Sequence, residues 1–305
     1  MNISKMEFEI LVFFAEKRKE MFEIDAVASE INESFNDVDN CLQNLKEKGF
    51  ISSKDKLEIN EKGLEALKPY RVKKAFILAA GFGSRMVPVT LDRPKPLVRV
   101  NGKRIIETMI EALISKDIKD ITIVRGYKKE CFEELVKDYP FIKLVDNDEY
   151  DVTNSISSLE KVIDDIGECY ICESDFYVTN PNIISKYNYS TNYLGAYVGE
   201  TDDWCLDLDN GYVKNYRKGG KSCYMSYCVS YWTKEDAERL KEDIKNQYKD
   251  EEGRNIFWEA VPLTLCHDNY KIEIKECRKE DILEIDTFDE LVAIDPSYKG
   301  YNSEE

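Results

Sequence analysis

The chain is poor in histidine and in long apolar segments. His267 is the only histidine among 305 residues, so a catalytic triad would have a single candidate base, and the Gly-x-Ser-x-Gly motif that accompanies many triads is missing. No run of eighteen apolar residues occurs, so the sequence predicts no membrane-spanning helix. The first ten residues carry early acidic side chains and no apolar signal core. From these absences we expect a cytoplasmic protein with no membrane contact.

Positive charge is also in deficit. The sequence has 43 Lys and Arg against 60 Asp and Glu, a formal net charge of −17. A chain of that charge repels nucleic acids and anionic membranes at long range. Any phosphate that it binds must therefore be held by a local group of cationic side chains, and we do not expect a nucleic-acid partner.

The nine cysteines do not indicate a disulfide framework, because thiols in a cytoplasmic chain are expected to remain reduced. Cys169 and Cys172 are the only close pair. Their three-residue spacing in a strand-like run would place the two thiols on opposite faces of a sheet. Since no second pair follows at the spacing of a zinc site, we interpret both as buried thiols.

The most informative segment runs from Lys74 to Leu97. It opens with a short apolar run at 75–80, which is typical of a buried parallel strand. Two glycines then allow a sharp turn that brings backbone N–H groups close to an anion. An arginine adds a planar charge suited to phosphate oxygens, and a lysine follows between two prolines that stiffen its backbone. These four residues are Gly81, Gly83, Arg85 and Lys95.

This string differs from two common glycine loops, because it lacks both the Gly-Lys-Ser/Thr ending of the Walker loop and the third glycine of the dinucleotide fingerprint. The pattern Leu-Ala-Ala-Gly-x-Gly-x-Arg, followed by Pro-Lys-Pro-Leu, resembles the signature of nucleotidyltransferases that join a nucleoside triphosphate to a phosphorylated small molecule. The resemblance implies catalytic roles for Arg85 and Lys95. It also implies nucleotide binding by Leu78, Ala79, Ala80, Gly81, Gly83 and Ser84. An ordinary strand-turn-helix with a surface Arg and Lys is the alternative.

Strands and helices alternate after this segment. The patterns predict helices over 105–115 and 128–138 and strands over 118–124 and 142–145. Such a rhythm is typical of right-handed crossovers between parallel strands, with ligands at the carboxyl ends of the strands. We predict an α/β fold over residues 74–295, with a mainly parallel, Rossmann-like nucleotidyltransferase sheet flanked by helices. A C-terminal tail over 296–305 follows.

Residues 1–70 show a separate pattern. Three helical stretches, a hairpin with a polar turn at 52–56 and a closing helix resemble a winged helix-turn-helix domain. DNA-binding modules are usually basic, but this stretch has ten Lys and Arg against fifteen Asp and Glu. Asp37 and Asp39 also lie at the start of its candidate recognition helix. We therefore expect a docking, dimerisation or effector-sensing role rather than DNA binding.

A polar segment follows the strand predicted over 142–145. Short amides and hydroxyls, which can pair with the edge of a pyrimidine, are dense here. The pattern Asn-x-x-Tyr with Asn-Ser-x-x-Ser-Leu resembles the base-binding segment of the bacterial CTP:phosphocholine cytidylyltransferases. The resemblance implies nucleotide contacts from Asn147, Thr153, Asn154, Ser155 and Ser158. The alternative is that residues 153–155 cap a helix.

Two aspartates follow predicted strands. A carboxylate at the end of a buried strand is costly unless it binds a partner. Nucleotidyl transfer needs Mg²⁺ held by carboxylate and triphosphate oxygens. The same resemblance implies metal ligation by Asp175 and by Asp286. A helix cap is the alternative for each of them.

The second half of the chain is rich in aromatic side chains. We predict a strand over 187–197, a polar loop at Asp203 and Trp204, and antiparallel strands over 212–231 joined at 218–221. Aromatic faces and a nearby carboxylate recognise a quaternary ammonium group. By resemblance to the phosphocholine enzymes, the acceptor would be bound by Trp204, Phe257, Trp258 and Glu259. Here Phe257 replaces the more usual Tyr, Glu259 replaces the shorter Asp, and the two aromatics could instead belong partly to the core.

The implied reaction joins CTP and phosphocholine to give CDP-choline and pyrophosphate, with Mg²⁺ as cofactor. The alternatives are a cytidylyltransferase for 2-aminoethylphosphonate or phosphoethanolamine, a sugar-1-phosphate nucleotidyltransferase, and a winged-helix transcriptional regulator that senses a nucleotide. The sequence leaves the oligomeric state open, and a homo-oligomer is compatible with it.

Overall fold

The computed structural model describes residues 3–17, 23–52 and 57–301. The chain divides into two units. Unit 1 comprises Met1–Arg71 with Tyr187–Tyr189, and unit 2 comprises Val72–Lys186 with Ser190–Glu305. None of the helices within the described ranges has the length and apolar character needed to cross a membrane.

Unit 1 has the element order that the sequence pattern predicts. Its elements are α1 (Lys5–Glu16), α2 (Ile24–Ile31), α3 (Phe35–Glu47), the antiparallel strands β1 (Ile51–Ser52) and β2 (Glu58–Ile59), and α4 (Glu61–Leu67). Ser34 caps α3 by accepting a hydrogen bond from the N–H of Asp37. Tyr189 stacks on Tyr70 within this unit, with ring centroids 5.3 Å apart. Residues 53–56 of the predicted turn lie outside the described residues, and the winged-helix assignment stays a prediction.

Unit 2 is a mixed α/β fold around one large sheet. Its strands are β3 (Lys74–Ala79), β4 (Arg99–Val100), β5 (Lys103–Arg104), β6 (Asp120–Arg125), β7 (Lys143–Asp146), β8 (Cys169–Glu173), β9 (Phe176–Val178), β10 (Asn192–Asp209), β11 (Tyr212–Trp232), β12 (Glu273–Glu276) and β13 (Ile282–Glu284). Its helices are α5 (Ile105–Ser115), α6 (Glu133–Asp138), α7 (Ile156–Glu160), α8 (Lys234–Gln247), α9 (Glu251–Arg254) and α10 (Phe288–Ile294).

The sheet has the order β10-β12-β11-β8-β3-β6-β7. Strands β8, β3, β6 and β7 are parallel, while β11 pairs antiparallel with β8. The prediction of a mainly parallel sheet flanked by helices is therefore confirmed. The helix predicted over 128–138 begins as a 3₁₀ turn at Lys129–Phe132 before it becomes α6.

Apolar side chains cover both faces of this sheet. Ile77 and Cys172 lie in the layer that includes side chains of α5, whereas Phe76 and Cys169 lie in the layer that includes side chains of α8. The predicted placement of the two thiols on opposite faces is confirmed. Burial raises the pKa of Cys169 to about 12, so this thiol is a poor nucleophile.

Strands β10 and β11 form a long antiparallel hairpin, which corrects two predictions. The strand expected over 187–197 runs over Asn192–Asp209 instead, so Trp204 lies in a strand and not in a polar loop. The hairpin turns at Asn210–Gly211, where both residues have positive φ, 51° and 83°. This is the turn chemistry that a two-residue hairpin loop requires.

The Gly-Gly pair at 219–220 does not separate two strands, which corrects a third prediction. Residues 212–232 form one strand, and Thr201 and Trp204 on β10 still pair with Gly220 and Lys218. The register shifts between these two pairs. Glycine inside a strand often marks such an irregularity rather than a turn.

The predicted tail is packed where the structure describes it. Residues Pro296–Tyr298 form a 3₁₀ turn. The hydroxyl of Tyr298 donates to the carbonyl of Arg99 at 2.7 Å, and that of Tyr301 donates to Asp92 at 2.9 Å. Residues 302–305 lie outside the described ranges.

Candidate active site

The turn after β3 is shaped around Lys95. Gly83 adopts a left-handed backbone with φ of 69°, and a Cβ at this position would come within 2.7 Å of the Lys95 Cβ. The hydroxyl of Thr90 donates to the Gly83 carbonyl at 3.0 Å. Glycine is therefore required here. A Cβ on Gly81, by contrast, would meet no described atom within 4 Å, so open space lies in front of the turn.

The turn borders a cleft of about 330 Å³, which we call the glycine cleft. Its walls include most of the residues that the sequence predicts for nucleotide and phosphate binding: Leu78, Ala80, Gly81, Gly83, Ser84, Arg85, Lys95, Thr153, Asn154, Ser155, Ser158 and Asp175. Residues not predicted also line it: Pro96, Tyr150, Ser157, Glu173 and Ser174. The Ala79 side chain instead lies in the core on the other face of the sheet, as the alternation along β3 dictates.

Asn147 supports the cleft from behind and does not line it. Its amide nitrogen donates to the hydroxyls of Ser157 and Ser158 at 2.9 and 3.1 Å, and its amide oxygen accepts from the N–H of Glu149 at 3.0 Å. Both amide hydrogens are thus used within the protein. The residue is buried, so its role in this structure is to position the serines that face the cleft.

The helix-cap alternative for residues 153–155 holds in part, because Ser155 is the N-cap residue of α7 but no side-chain cap bond forms. The Ser155 hydroxyl instead accepts from the backbone N–H of Trp258 at 3.1 Å. Asn154 turns its side-chain oxygen to the N–H of Ser155 at 2.7 Å. These side chains remain on the wall of the cleft.

Three carboxylates meet beside the cleft, and we call Asp175, Glu284 and Asp286 the carboxylate cluster. Antiparallel pairing of β9 with β13 places Glu284 opposite Phe176, which follows Asp175 directly. One oxygen from each cluster member lies within 4.8 Å of the others. Neither aspartate acts as a helix cap, since Asp175 leads into β9 and Thr287 caps α10.

Glu284 was not predicted from the sequence, although a signal for it exists. It lies two residues before Asp286 at the end of β13, and residues two apart in a strand share a face. Burial, together with the charges of Asp175 and Asp286, raises the pKa of the Glu284 carboxyl to about 8. A carboxyl that resists ionisation in this way is typical of a site that lacks a full complement of positive charge.

Two cations contact the carboxylate cluster. The Lys95 ammonium lies 2.7 Å from Asp286 Oδ1 and 3.2 Å from Asp175 Oδ2, and Arg85 lies 2.7 Å from Asp286 Oδ2. Burial alone would lower the pKa of Lys95, but the two aspartates hold it above its usual value. Burial would likewise raise the pKa of Asp286, yet Lys95 and Arg85 keep it below the usual range. Lys95 is therefore protonated and Asp286 is ionised at neutral pH.

The donor set fits a hard divalent cation. Carboxylate oxygens are the ligands that Mg²⁺ prefers. Asp175 Oδ1 is buried and has no hydrogen-bond partner among the described residues, and a buried carboxylate oxygen is costly to leave unpaired. The orphaned oxygen and the close approach of three carboxylates both suit a bound ion.

The aromatic residues predicted for the acceptor divide between surface and core. Trp204 stacks on Tyr216 with ring centroids 4.6 Å apart, and Phe257 meets Trp204 edge-on at 6.2 Å. We call these three residues the aromatic corner; Phe257 is 49% exposed. Trp258 is fully buried, and its indole N–H donates to Glu173 at 3.1 Å. Its ring therefore offers no open face to a ligand in this structure.

Glu259 is buried and lies beside a second acid, the partly buried Glu173. Burial raises the pKa of Glu259 to about 7 and that of Glu173 well above its usual value, and the charge of Asp175 adds to both shifts. Neither carboxyl takes part in an ion pair in the part of the chain that the structure describes. The pair Glu173–Glu259, of which Glu173 lines the glycine cleft, thus has no cationic partner among the described residues.

Backbone amides, cations and carboxylates that meet at one edge of a parallel sheet can hold a polyphosphate together with a divalent ion. This is the class of site that nucleotidyl transfer requires. Comparison with known proteins gives the same class, since the family model described as nucleotidyl transferase matches residues 74–194.

Individual relatives narrow the class. A 2-aminoethylphosphonate cytidylyltransferase from Lancefieldella rimae is 36% identical over 228 residues, which are 73% of this chain and 92% of that protein. A choline-phosphate cytidylyltransferase from Streptococcus pneumoniae is 32% identical over 75% of this chain and its own full length. The solved structure of the CTP:phosphocholine cytidylyltransferase from the same organism superposes with a TM-score of 0.69, again over 75% of this chain and all of that one.

The chain belongs to the nucleotidyltransferase family, and within it to the cytidylyltransferases of the choline-phosphate cytidylyltransferase type. The expectation of a cytidylyltransferase is confirmed at this level. The relatives differ in the acceptor that their names give, so the acceptor of this chain is a separate question.

Proposed function

We propose that this enzyme transfers the cytidylyl group of CTP to a phosphate oxygen of phosphocholine and releases pyrophosphate. One observation carries the transfer chemistry: Lys95, at the wall of the glycine cleft, contacts two members of the carboxylate cluster at 2.7 and 3.2 Å. Phosphate-binding cations and metal-binding carboxylates therefore meet at one point, which is where the α-phosphorus of a bound triphosphate would react.

The residues of the glycine cleft hold and orient the triphosphate in this proposal. Backbone N–H groups of the turn at 81–84 bind phosphate oxygens, and Arg85 and Lys95 neutralise charge that develops on the pyrophosphate. The carboxylates Asp175, Glu284 and Asp286 would hold Mg²⁺, which neutralises phosphate charge when bound. Thr153, Asn154, Ser155 and Ser158 are the candidates to read the cytosine edge.

The acceptor needs no general base, because a phosphate monoester is already ionised at neutral pH. Its oxygen forms a new bond to the α-phosphorus as the bond from that phosphorus to the β-phosphate oxygen breaks, and pyrophosphate leaves with the electron pair. Catalysis then rests on alignment and on charge neutralisation. No described histidine is required for these steps.

The aromatic corner supports a quaternary ammonium on the acceptor. A trimethylammonium group donates no N–H hydrogen bond and is stabilised by ring faces, at about 0.5–2 kcal/mol for each contact. Trp204 is only partly buried where it stacks on Tyr216, and the Phe257 ring beside it is half exposed. Because Trp258 is buried, only Trp204 and Phe257 of the three predicted aromatic residues would contact the cation.

A second candidate acceptor is 2-aminoethylphosphonate or phosphoethanolamine, and the pair Glu173–Glu259 favours it. Glu173 and Glu259 lack a protein cation, and a primary ammonium could supply one through N–H hydrogen bonds. The name of the relative at 36% identity is consistent with this candidate. A sugar 1-phosphate carries no cation, so neither the aromatic corner nor the pair Glu173–Glu259 favours it as the acceptor.

Steady-state kinetics with two variants separates these acceptors. We expect phosphocholine to exceed phosphoethanolamine and 2-aminoethylphosphonate by at least about tenfold in kcat/KM, which needs about 1.4 kcal/mol. Trp204→Ala should raise KM for phosphocholine and leave KM for CTP nearly unchanged. Tyr197→Ala is the matched control, because Tyr197 is an exposed aromatic on the same strand.

The reverse outcome identifies the second candidate. If a primary amine is turned over faster, and Glu259→Gln abolishes that advantage while Trp204→Ala does not, the acceptor is an aminoalkyl phosphonate or phosphate and the aromatic corner does not bind its cation.

A further inference from the structure

Lys95 lies where the carboxylate cluster would bind a metal ion. We infer that in the nucleotide-free enzyme the Lys95 ammonium substitutes for the divalent cation, and that the cluster binds the metal only when a triphosphate takes over the ammonium. This inference rests on the proposed transfer function, and it concerns the order in which the site is assembled rather than the identity of the acceptor.

The distances show the competition directly. The ammonium nitrogen is 2.7 Å from Asp286 Oδ1 and 3.2 Å from Asp175 Oδ2. A Mg²⁺ ion bonds carboxylate oxygens at about 2.0–2.1 Å. An ion bound to these two aspartates would therefore lie in nearly the same space as the ammonium, and two cations cannot share it without an anion between them.

The surroundings of Lys95 restrict where its ammonium can go. The residue is 8% exposed. Its stem packs against Gly83, where even a methyl group would overlap it, and a 3₁₀ turn at Lys95–Leu97 begins with this residue and Pro96. The glycine cleft is the open space that Lys95 lines. A triphosphate bound in that cleft offers the ammonium new anionic partners and frees both aspartates.

The second cation does not compete in the same way. Within the described part of the chain, Arg85 forms an ion pair with Asp286 alone, through the other oxygen, and its side chain is 68% exposed. It can follow a phosphate group without leaving a buried position. Lys95 is therefore the residue that couples nucleotide binding to metal binding.

The test measures Mn²⁺ binding to the nucleotide-free protein by electron paramagnetic resonance, with no acceptor present. Wild-type protein should bind Mn²⁺ only weakly. Lys95→Met, which keeps the length of the side chain and removes its charge, should bind Mn²⁺ at least tenfold more tightly. Lys129→Met is the matched control, because Lys129 bridges Asp146 and Asp148 at 3.0 and 2.8 Å on the surface, and its Mn²⁺ affinity should equal that of the wild type.

A double variant locates the ion. Lys95→Met/Asp175→Asn should lose the gain in affinity, and persistence of the gain would place the ion elsewhere and overturn the inference. Thermal unfolding supplies a second readout: Mg²⁺ alone should raise the Tm of Lys95→Met but not of the wild type, which should need Mg²⁺ together with CTP.

Two results contradict the inference regardless of turnover. One is tight Mn²⁺ binding by the nucleotide-free wild type, which can be measured even if Lys95→Met does not fold. The other is an unchanged Mn²⁺ affinity in a folded Lys95→Met or Lys95→Gln protein. Failure of the proposed function would appear differently, as absence of pyrophosphate release with every acceptor, and would leave the metal titration interpretable.

Discussion

The glycine cleft and the acceptor region of this enzyme are built in different ways. In the cleft, the groups that we propose to bind phosphate come from one stretch of 24 residues, Lys74 to Leu97, and Gly83 in this stretch has a left-handed backbone that packs against Lys95. In the acceptor region, Trp204, Phe257 and Glu259 come from a long strand and from a loop after α9, and tertiary packing decides which of them face solvent. The proposed nucleotide site is therefore encoded in one local segment, whereas the proposed acceptor site depends on tertiary packing.

The largest expected effect tests the cleft. Lys95→Ala should lower kcat by about 10²–10³-fold, since loss of one preorganised charge costs about 2.7–4 kcal/mol in the transition state. Lys129→Ala, which removes an exposed lysine that also bridges two aspartates, should retain near wild-type turnover. Pyrophosphate release under saturating CTP measures both, and near-normal turnover of Lys95→Ala would remove Lys95 from the catalytic machinery.

A second effect tests the carboxylate cluster as a metal site. Asp175→Asn and Asp286→Asn should each abolish most Mg²⁺-dependent activity, because Mg²⁺ usually binds only one or two protein carboxylates directly. Glu284→Gln should weaken Mg²⁺ activation less. Asp289→Asn, an exposed acid three residues after Asp286, is the control. The Mg²⁺ dependence of kcat distinguishes these variants, and a crystal with CTP and Mg²⁺ in which no cluster oxygen lies near the ion would contradict the assignment.

The same difference between the two regions explains which site residues can be predicted from the sequence and which cannot. Gly83, Arg85 and Lys95 could be recognised because a turn and its charges are close in sequence. Asp175 and Asp286 could be predicted because each follows a strand-like run in the sequence and matches the family pattern. Their pairing with Lys95 depends on the β9–β13 contact, which no local pattern encodes.

The misses come from packing and from turn chemistry. Phe257 and Trp258 are adjacent aromatics, and only tertiary packing shows that Trp258 belongs to the core, where its indole N–H donates to Glu173. The glycines within 218–221 predict a hairpin turn there, although Asn210–Gly211 carries the stronger turn signal. The composition does not show that β11 continues through the Gly-Gly pair at 219–220 and stays paired with β10 on both sides of it.

A third prediction uses two glycines of the same turn. Gly83→Ala should destabilise the protein by at least about 1–2 kcal/mol, the cost of a left-handed backbone for a residue with a Cβ, and should disturb Lys95 as well. Gly81→Ala should leave the Tm unchanged and raise only KM for CTP, since its Cβ would project into open space. Equal stability of the two variants would show that the turn tolerates side chains and is not shaped around Lys95.

The fourth prediction concerns the pH dependence of stability that the Glu173–Glu259 pair causes. Folding raises the pKa of Glu259 to about 7, while an unfolded Glu titrates near 4.3. Between these values the folded state binds more protons, so stability falls as pH rises from about 5 to 7. One such carboxyl can change the free energy of unfolding by up to about 1.4 kcal/mol for each pH unit.

Urea unfolding at pH 5 and pH 8 measures this loss. In the wild type, the free energy of unfolding should be higher at pH 5 than at pH 8, and Glu259→Gln should reduce this difference by about 1–3 kcal/mol. Glu235→Gln, an exposed acid on α8, should not change it. A wild-type protein that becomes more stable from pH 5 to pH 8 would show that the acid pair is not held neutral in the fold.

The central claim is that one site joins CTP to a small phosphate that carries a cation. Pyrophosphate release by the wild-type enzyme, measured for each nucleoside triphosphate against phosphocholine, phosphoethanolamine, 2-aminoethylphosphonate and glucose 1-phosphate, tests it most directly. We predict turnover with CTP and the cationic acceptors, greatest with phosphocholine, and little with glucose 1-phosphate. Preferred turnover of a sugar phosphate, or of another triphosphate in place of CTP, would contradict it.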